Sequence, residues 1–144
     1  MYPVVAGEED AHVVAGADEV RVALSNNSVL QASLVGFDAD EDLAVLKVDA
    51  SGLTPAEFGD SAALRIGDPV AAIGDPLGYR STITDGIISA LDREVEVDGT
   101  TMVLIQTSAA INFGNSGGAL INQYGQVVGV TTIKIVTEDG SAEA

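Results

Sequence analysis

Apolar residues recur at every second position along much of this chain, which is the spacing of a β-strand with one buried face. Val20, Val22 and Leu24 alternate with other residues, and the same pattern resumes over 30–34 after a turn signal at 26–27. No segment keeps the period of a helix over several turns. With 16 glycines and many short strand-like segments, the sequence predicts an all-β barrel or sandwich.

Two halves follow from where this pattern stops and resumes. Residues 42–48 are almost continuously apolar, which is typical of a strand buried on both faces. The pattern lapses over 49–68, and we interpret that stretch as a connector. Beyond it, apolar segments separated by turn residues, among them Asp98-Gly99, predict strands at 70–73, 81–84, 86–91, 94–97, 101–107, 119–122 and 126–135.

Charge and composition exclude several classes of function. Six Lys and Arg residues stand against 22 Asp and Glu residues, and the net charge of −16 argues against nucleic acid and anionic membranes as partners. The chain has no cysteine and one histidine, so thiolate or histidine-rich metal sites and a cysteine nucleophile are excluded. No apolar run is long enough to span a membrane.

One glycine-rich segment is a candidate for catalysis. Residues 112–120 read Asn-Phe-Gly-Asn-Ser-Gly-Gly-Ala-Leu, so that three glycines surround one serine directly before an apolar strand. Glycines let the backbone turn sharply, which makes Ser116 a candidate nucleophile. Gly114, Asn115 and Ser116 form a candidate oxyanion hole, with the N–H groups of Gly114 and Ser116 as its donors. The alternative is a hairpin turn with an incidental serine.

A serine nucleophile needs a base and an orienting carboxylate. His12 is the one imidazole of the chain, although a lone histidine beside valines is more often an ordinary surface or core residue. Among the acidic residues, Asp42 directly precedes a buried strand, where a charge is costly unless it is hydrogen-bonded. Asp42 is therefore the acidic residue that solubility explains least.

The residues around these candidates resemble the HtrA/Deg family of trypsin-like serine proteases. The segments 106–120 and 125–130 are similar to the nucleophile region of that family, 42–48 to its acid-bearing segment and 12–20 to its histidine segment. The resemblance runs in order over residues 11–135. It implies two six-stranded antiparallel barrels with the active site between them.

The resemblance also implies the roles of individual residues. His12 would be the base, Asp42 its orienter and Ser116 the nucleophile of a triad. Residues 1–57 would form the first half, with His12 and Asp42, and residues 58–144 the second half, with Ser116. Ala110 would form the floor of the primary specificity pocket, and its small apolar neighbours Ala109 and Ile111 favour aliphatic substrate residues.

The implied function is a serine endopeptidase that cleaves unfolded or misfolded polypeptides and needs no metal or organic cofactor. Such proteases usually work outside the cytoplasm, so a periplasmic, cell-surface or secreted location is expected, although no signal segment opens the chain.

The departures from the family pattern lead to a further expectation. Few residues precede His12 where the family has strands, the family's strand after about 135 is missing, and no PDZ module follows. An incomplete first barrel predicts weak activity, and its open strand edges predict a homo-oligomer formed by edge pairing or strand exchange. The alternative function is a catalytically inactive, protease-like module for polypeptide binding or assembly.

Overall fold

A computed structural model describes residues 19–75, 82–97, 100–112, 115–132, 135–136 and 142–143 of the chain. Strands dominate these ranges, and a 3₁₀ turn at Ser61–Ala63 is the one helical element in them. The all-β prediction is confirmed. A helix with the length and apolarity to cross a membrane does not occur in the described ranges. The chain divides into two compact units, unit 1 (Met1–Ala56) and unit 2 (Glu57–Ala144).

Unit 1 contains a three-stranded antiparallel sheet in the order β1-β2-β3. Its strands are β1 (Val20–Ala23), β2 (Val29–Asp38) and β3 (Leu43–Val48). The predicted turn between the first two is confirmed: Asn27 takes a left-handed φ of 65°, and the Ser28 N–H donates to Asn26 Oδ1 at 2.9 Å. A register shift between Leu34 and Gly36 then bends β2 against β3.

Unit 2 contains a five-stranded antiparallel sheet in the order β6-β5-β4-β7-β8. Its strands are β4 (Pro69–Gly74), β5 (Thr82–Val97), β6 (Thr100–Thr107), β7 (Ala119–Asn122) and β8 (Val127–Val130). A separate pair joins β9 (Ile135–Val136) and β10 (Ala142–Glu143). The predicted hairpin around Tyr124-Gly125 is confirmed, with Asn122 Oδ1 accepting from the Tyr124 N–H at 2.9 Å and the Gln126 N–H at 3.0 Å.

The core of unit 2 forms where β4, β5 and β7 turn apolar side chains to one side. Ala72, Ile88 and Ala109 are 0% exposed. The buried cluster consists of Leu64, Val70, Ala72, Ile88, Ala109, Ile111, Leu120 and Val128. The residues of this cluster come from strands and from loops that are distant in sequence. Their packing therefore fixes the positions of the segments between the strands.

The structure corrects two predicted strand boundaries. Three strands are predicted over 81–97, but β5 is one strand of 16 residues. Register shifts against β6 at Ile88/Ala90 and Ala90/Arg93, and a φ of 54° at Asp92, absorb the irregular residues without ending it. The strand predicted over 126–135 ends at Val130, because Thr131 bonds instead to the turn described below. Asp98-Gly99 lies outside the described residues.

Candidate active site

Ser116 lies in a tight turn directly before β7. The Asn115 carbonyl accepts from the Gly118 N–H at 2.8 Å, and the Asn115 N–H donates to the Asn112 carbonyl at 3.0 Å. Gly117 has a φ of 77°, a left-handed conformation that side chains with a Cβ rarely adopt. We call residues 115–118 the nucleophile turn.

Close backbone packing against the end of β4 positions the nucleophile turn. A Cβ added to Gly118 would lie 2.7 Å from the Asn115 oxygen and 3.0 Å from the carbonyl carbon of Ile73, and one added to Gly74 would lie 2.7 Å from Asn115 Cα. These distances leave no room for a methyl group. Glycine is therefore required at both positions by close approach, which explains Gly118 among the glycines around Ser116.

The residues after β8 hold the other side of the nucleophile turn. The Gly117 N–H donates to the Thr131 carbonyl at 2.6 Å, and the Thr131 N–H donates to the Gly118 carbonyl at 2.9 Å. Ser116 is half-buried, and its Oγ donates to the Thr132 carbonyl at 3.3 Å. The serine hydroxyl thus lies at a defined point next to the end of β8.

Asn115 connects the nucleophile turn to the segment 109–111. Its side chain is 2% exposed, and Nδ2 donates to the Ala110 carbonyl at 3.1 Å. The same carbonyl accepts from Thr84 Oγ1 at 2.8 Å. The Asn115 N–H is bonded to the Asn112 carbonyl, its carbonyl to the Gly118 N–H and its side chain to the Ala110 carbonyl. Asn115 therefore fixes the turn through its backbone and its side chain. Gly114, the other predicted oxyanion residue, lies outside the described residues.

The three residues predicted to line a specificity pocket have different environments. Ala109 and Ile111 are 0% and 5% exposed and belong to the core of unit 2, whereas the Ala110 side chain is exposed. Gly86 approaches Ala109 so closely that an added Cβ would lie 2.7 Å from Ala109 Cα. A mainly apolar cavity of about 80 Å³ includes Ile111, Leu120, Val130, Thr131 and Thr132 in its lining.

Asp42, in unit 1, ends the turn between β2 and β3. Asp38 Oδ1 caps this turn by accepting from the N–H groups of Asp40 at 3.0 Å and Glu41 at 3.2 Å. Asp42 has a φ of 50° and is half-buried, directly before Leu43 at the start of β3. His12, the predicted base, lies outside the described residues.

An exposed ion pair in the described part of unit 1 shifts the pKa values of its two partners. Arg21 Nε and Nη2 donate to the two carboxylate oxygens of Glu19 at 3.1 and 3.0 Å. These hydrogen bonds, reinforced by the positive charge, lower the pKa of Glu19, and the carboxylate in turn raises the pKa of Arg21. Within the described parts of the chain, no three acidic or histidine side chains come together as a metal site.

Three residues that contribute to this geometry are absent from the sequence-based candidates. Thr131 and Thr132 read as part of an apolar strand, and their contacts with the nucleophile turn depend on the pairing of β7 with β8. Gly74 reads as part of a Gly-Asp-Pro turn. The one signal in the sequence is the Thr-Thr pair, which interrupts the apolar run after Val130.

Comparisons with known proteins agree over most of the chain. The family profile described as "Trypsin-like peptidase domain" matches residues 9–130. "Serine protease Do-like HtrA" of Lactobacillus helveticus is 48% identical over 136 residues, covering 91% of this chain and 33% of that protein. "Serine protease Do-like HtrB" of Bacillus subtilis is 49% identical over 136 residues, covering 90% and 30%. A "probable periplasmic serine endoprotease DegP-like" of Pseudomonas putida is 50% identical over 129 residues, covering 90% and 27%.

Solved structures give the same result. The structure described as "HtrA-type protease AlgW with decapeptide" superposes with a TM-score of 0.81 at 43% identity, covering 95% of this chain and 43% of that one. The same protease with a tripeptide gives a TM-score of 0.81 at 42% identity, with coverages of 95% and 46%. This chain spans about a third or less of the length of the three relatives above.

Proposed function

This chain belongs to the trypsin-like peptidase domain family, and from that premise we propose that it is an HtrA-type serine endopeptidase domain acting on unfolded or misfolded polypeptides. Its trypsin-like fold, expected from the sequence, is confirmed by the structural similarity. The observation that carries the proposal is the position of Ser116, whose half-buried hydroxyl lies in a glycine-framed turn that is bonded to the residues after β8.

Ser116 would act as the nucleophile. Its Oγ attacks the carbonyl carbon of the scissile peptide bond, His12 takes the hydroxyl proton and later gives a proton to the leaving amine, and Asp42 orients the imidazole. The roles of His12 and Asp42 rest on the family resemblance. The bond from Ser116 Oγ to the Thr132 carbonyl is long, at 3.3 Å, so little is lost when the hydroxyl turns to the base.

The negative charge that develops on the substrate oxygen needs donors in the nucleophile turn. We assign this role to the N–H groups of Ser116 and Gly114. Asn115, between them, supports the oxyanion hole through its bonds to Asn112, Ala110 and Gly118.

Specificity would be determined close to Ala110. Its side chain is exposed, and its carbonyl is held at two points, by Asn115 and Thr84, which supports the role of a pocket floor. Ala109 and Ile111, on either side in sequence, are buried in the core, and Ile111 also borders the apolar cavity. Small apolar residues of this kind favour aliphatic substrate side chains over charged ones.

Covalent labelling tests the proposal. A fluorophosphonate probe is expected to label the chain, and Ser116→Ala is expected to abolish both labelling and casein hydrolysis. Ser61→Ala is the matched control, because Ser61 is an exposed serine of unit 2 on the 3₁₀ turn, outside the nucleophile turn. Labelling that persists in Ser116→Ala, or an unmodified chain that does not react, would contradict the proposal.

Location and assembly are further parts of the proposal. Because similar DegP-like proteins are named periplasmic, we propose an extracytoplasmic location. β1 and β3 are the outer strands of the three-stranded sheet described for unit 1, and the proposed assembly pairs or exchanges strands of this unit with a second copy. Light scattering that shows a monomer at all concentrations would refute the assembly.

A further inference from the structure

We propose that Thr131 is a positioning residue for the reaction: its hydroxyl orients the peptide bond between Asn115 and Ser116, and with it the Ser116 N–H. The inference rests on the proposed function. Thr131 is 8% exposed, and its Oγ1 donates to the Asn115 carbonyl, with the Gly118 carbonyl a second acceptor at 3.3 Å. A buried hydroxyl aimed at this carbonyl acts on the bond that precedes the nucleophile.

The geometry of the peptide bond carries this contact to the oxyanion site. In a planar trans peptide, the C=O of one residue and the N–H of the next point in opposite directions. The Asn115 carbonyl points toward Thr131 and also accepts from the Gly118 N–H at 2.8 Å. The Ser116 N–H must therefore point away from Thr131, and the proposed function places the substrate oxygen on that side.

Thr131 also holds the turn on the far side of Ser116. Its carbonyl accepts from the Gly117 N–H at 2.6 Å, and its N–H donates to the Gly118 carbonyl at 2.9 Å. Those two bonds use the backbone and would survive any substitution except proline. The hydroxyl is thus the part of Thr131 that a mutation can remove while the rest of the connection stays in place.

Losing the hydroxyl should weaken catalysis more than substrate binding. A hydrogen bond to the oxyanion is strongest in the transition state, and removing such a donor from a serine protease costs on the order of 100-fold or more in kcat. Thr131→Val leaves the Ser116 N–H present but held only through the Gly118 bond to Asn115. We therefore expect a smaller loss, of about tenfold in kcat, with KM unchanged.

Thr107 provides a matched control within the same unit. It is 6% exposed, and its Oγ1 donates to the Ile87 carbonyl at 2.9 Å and accepts from the Ala109 N–H at 3.1 Å, so these bonds go to residues outside the nucleophile turn. Thr107→Val and Thr131→Val each remove a buried hydroxyl from a carbonyl, and Thr107→Val also leaves the Ala109 N–H without this acceptor, so Thr107→Val should lower the unfolding temperature at least as much as Thr131→Val. Only Thr131→Val should slow fluorophosphonate labelling and lower kcat for casein, and Thr131→Ser, which keeps the hydroxyl, should restore both.

The outcomes separate this inference from the function on which it rests. An unmodified chain that neither labels nor cleaves overturns both. A labelling rate in Thr131→Val equal to that of the unmodified chain, or an equal loss in Thr107→Val, overturns the inference alone. If Thr131→Val does not fold, the comparison of Thr131→Ala with Thr131→Ser isolates the hydroxyl, and equal rates in those two variants overturn the inference.

Discussion

The two units use the same kind of strand but hold their functional segments differently. In unit 2, the nucleophile turn is fixed by backbone contacts too close for any Cβ and by bonds from a buried threonine. In unit 1, the described buried apolar side chains are Val22, Ala44 and Leu46, while Val35 and Phe37 are 59% and 50% exposed. The turn before Asp42 is closed by the exposed side chain of Asp38.

This difference shows which of the two turns is held more tightly by the surrounding structure. In unit 2, closely packed backbone surrounds the nucleophile turn. A substitution in this turn should therefore lower both the stability of the chain and its proposed activity. Unit 1 forms its turn from local hydrogen bonds, which most substitutions in its sheet leave in place. The predictions below test this contrast.

The largest effect is expected from the core of unit 2. Ile88→Ala removes a side chain that is 0% exposed, and it should lower the free energy of unfolding by about 2–5 kcal/mol. Ile83, on the same strand, is 68% exposed, and Ile83→Ala should change it by no more than about 0.5 kcal/mol. Urea denaturation measures both, and similar losses would show that the core is not where the structure places it.

A glycine pair compares the units directly. Gly118→Ala forces a methyl group against the Ile73 and Asn115 backbones, which should cost about 1–3 kcal/mol and abolish fluorophosphonate labelling. Gly36, on β2, has open space around the position of a Cβ, so Gly36→Ala should raise stability by up to about 1 kcal/mol. Two changes of the same sign in urea denaturation would remove the contrast between the units.

A third comparison sets a large, half-exposed side chain of unit 1 against a smaller, buried side chain of unit 2. Phe37→Ala in unit 1 should cost about 1 kcal/mol, because half of that side chain already meets solvent. The smaller Val128 of unit 2 is 5% exposed, and Val128→Ala should cost more, about 2 kcal/mol. If Phe37→Ala lowers the free energy of unfolding more than Val128→Ala does, the Phe37 side chain is buried in solution.

The smallest effect concerns the exposed ion pair of unit 1. In Arg21→Gln, the pKa of Glu19 should rise toward its ordinary value, because the hydrogen bonds and the positive charge that lower it are gone. With a lowered folded pKa, the pair stabilises unit 1 above the unfolded pKa of glutamate, and that stabilisation is lost as the pH falls through the folded pKa. NMR titration measures the shift, which should shrink in high salt; a Glu19 pKa unchanged in Arg21→Gln would exclude the pair as its cause.

The sequence predicts most of the fold and part of the site, for physical reasons that differ. The positions of β3 and β7 were predictable because their apolar pattern is local, although Leu43 and Val45 of β3 are exposed where burial on both faces was predicted. β5 was not predictable as one strand, since Asp92 reads as a break yet is absorbed by a bulge. Ser116 stands out because, of the glycines beside it, Gly117 takes a left-handed φ and Gly118 a close backbone contact. The roles of Thr131 and Gly74 depend on which strands pair, and the Thr-Thr pair after Val130 marks a break in the strand without showing what it contacts.

The contact of Gly118 with the end of β4 also determines the stage of folding at which Ser116 takes its final geometry. Ile73 and Gly118 are far apart in sequence, and they meet only once β4 has paired with β7. Contacts between distant residues form late, because the intervening chain must first lose its entropy. A partly folded chain, whether newly made or unfolding, therefore lacks the geometry that would make Ser116 reactive. If the chain is the proposed protease of unfolded polypeptides, it is therefore inactive while it is itself unfolded.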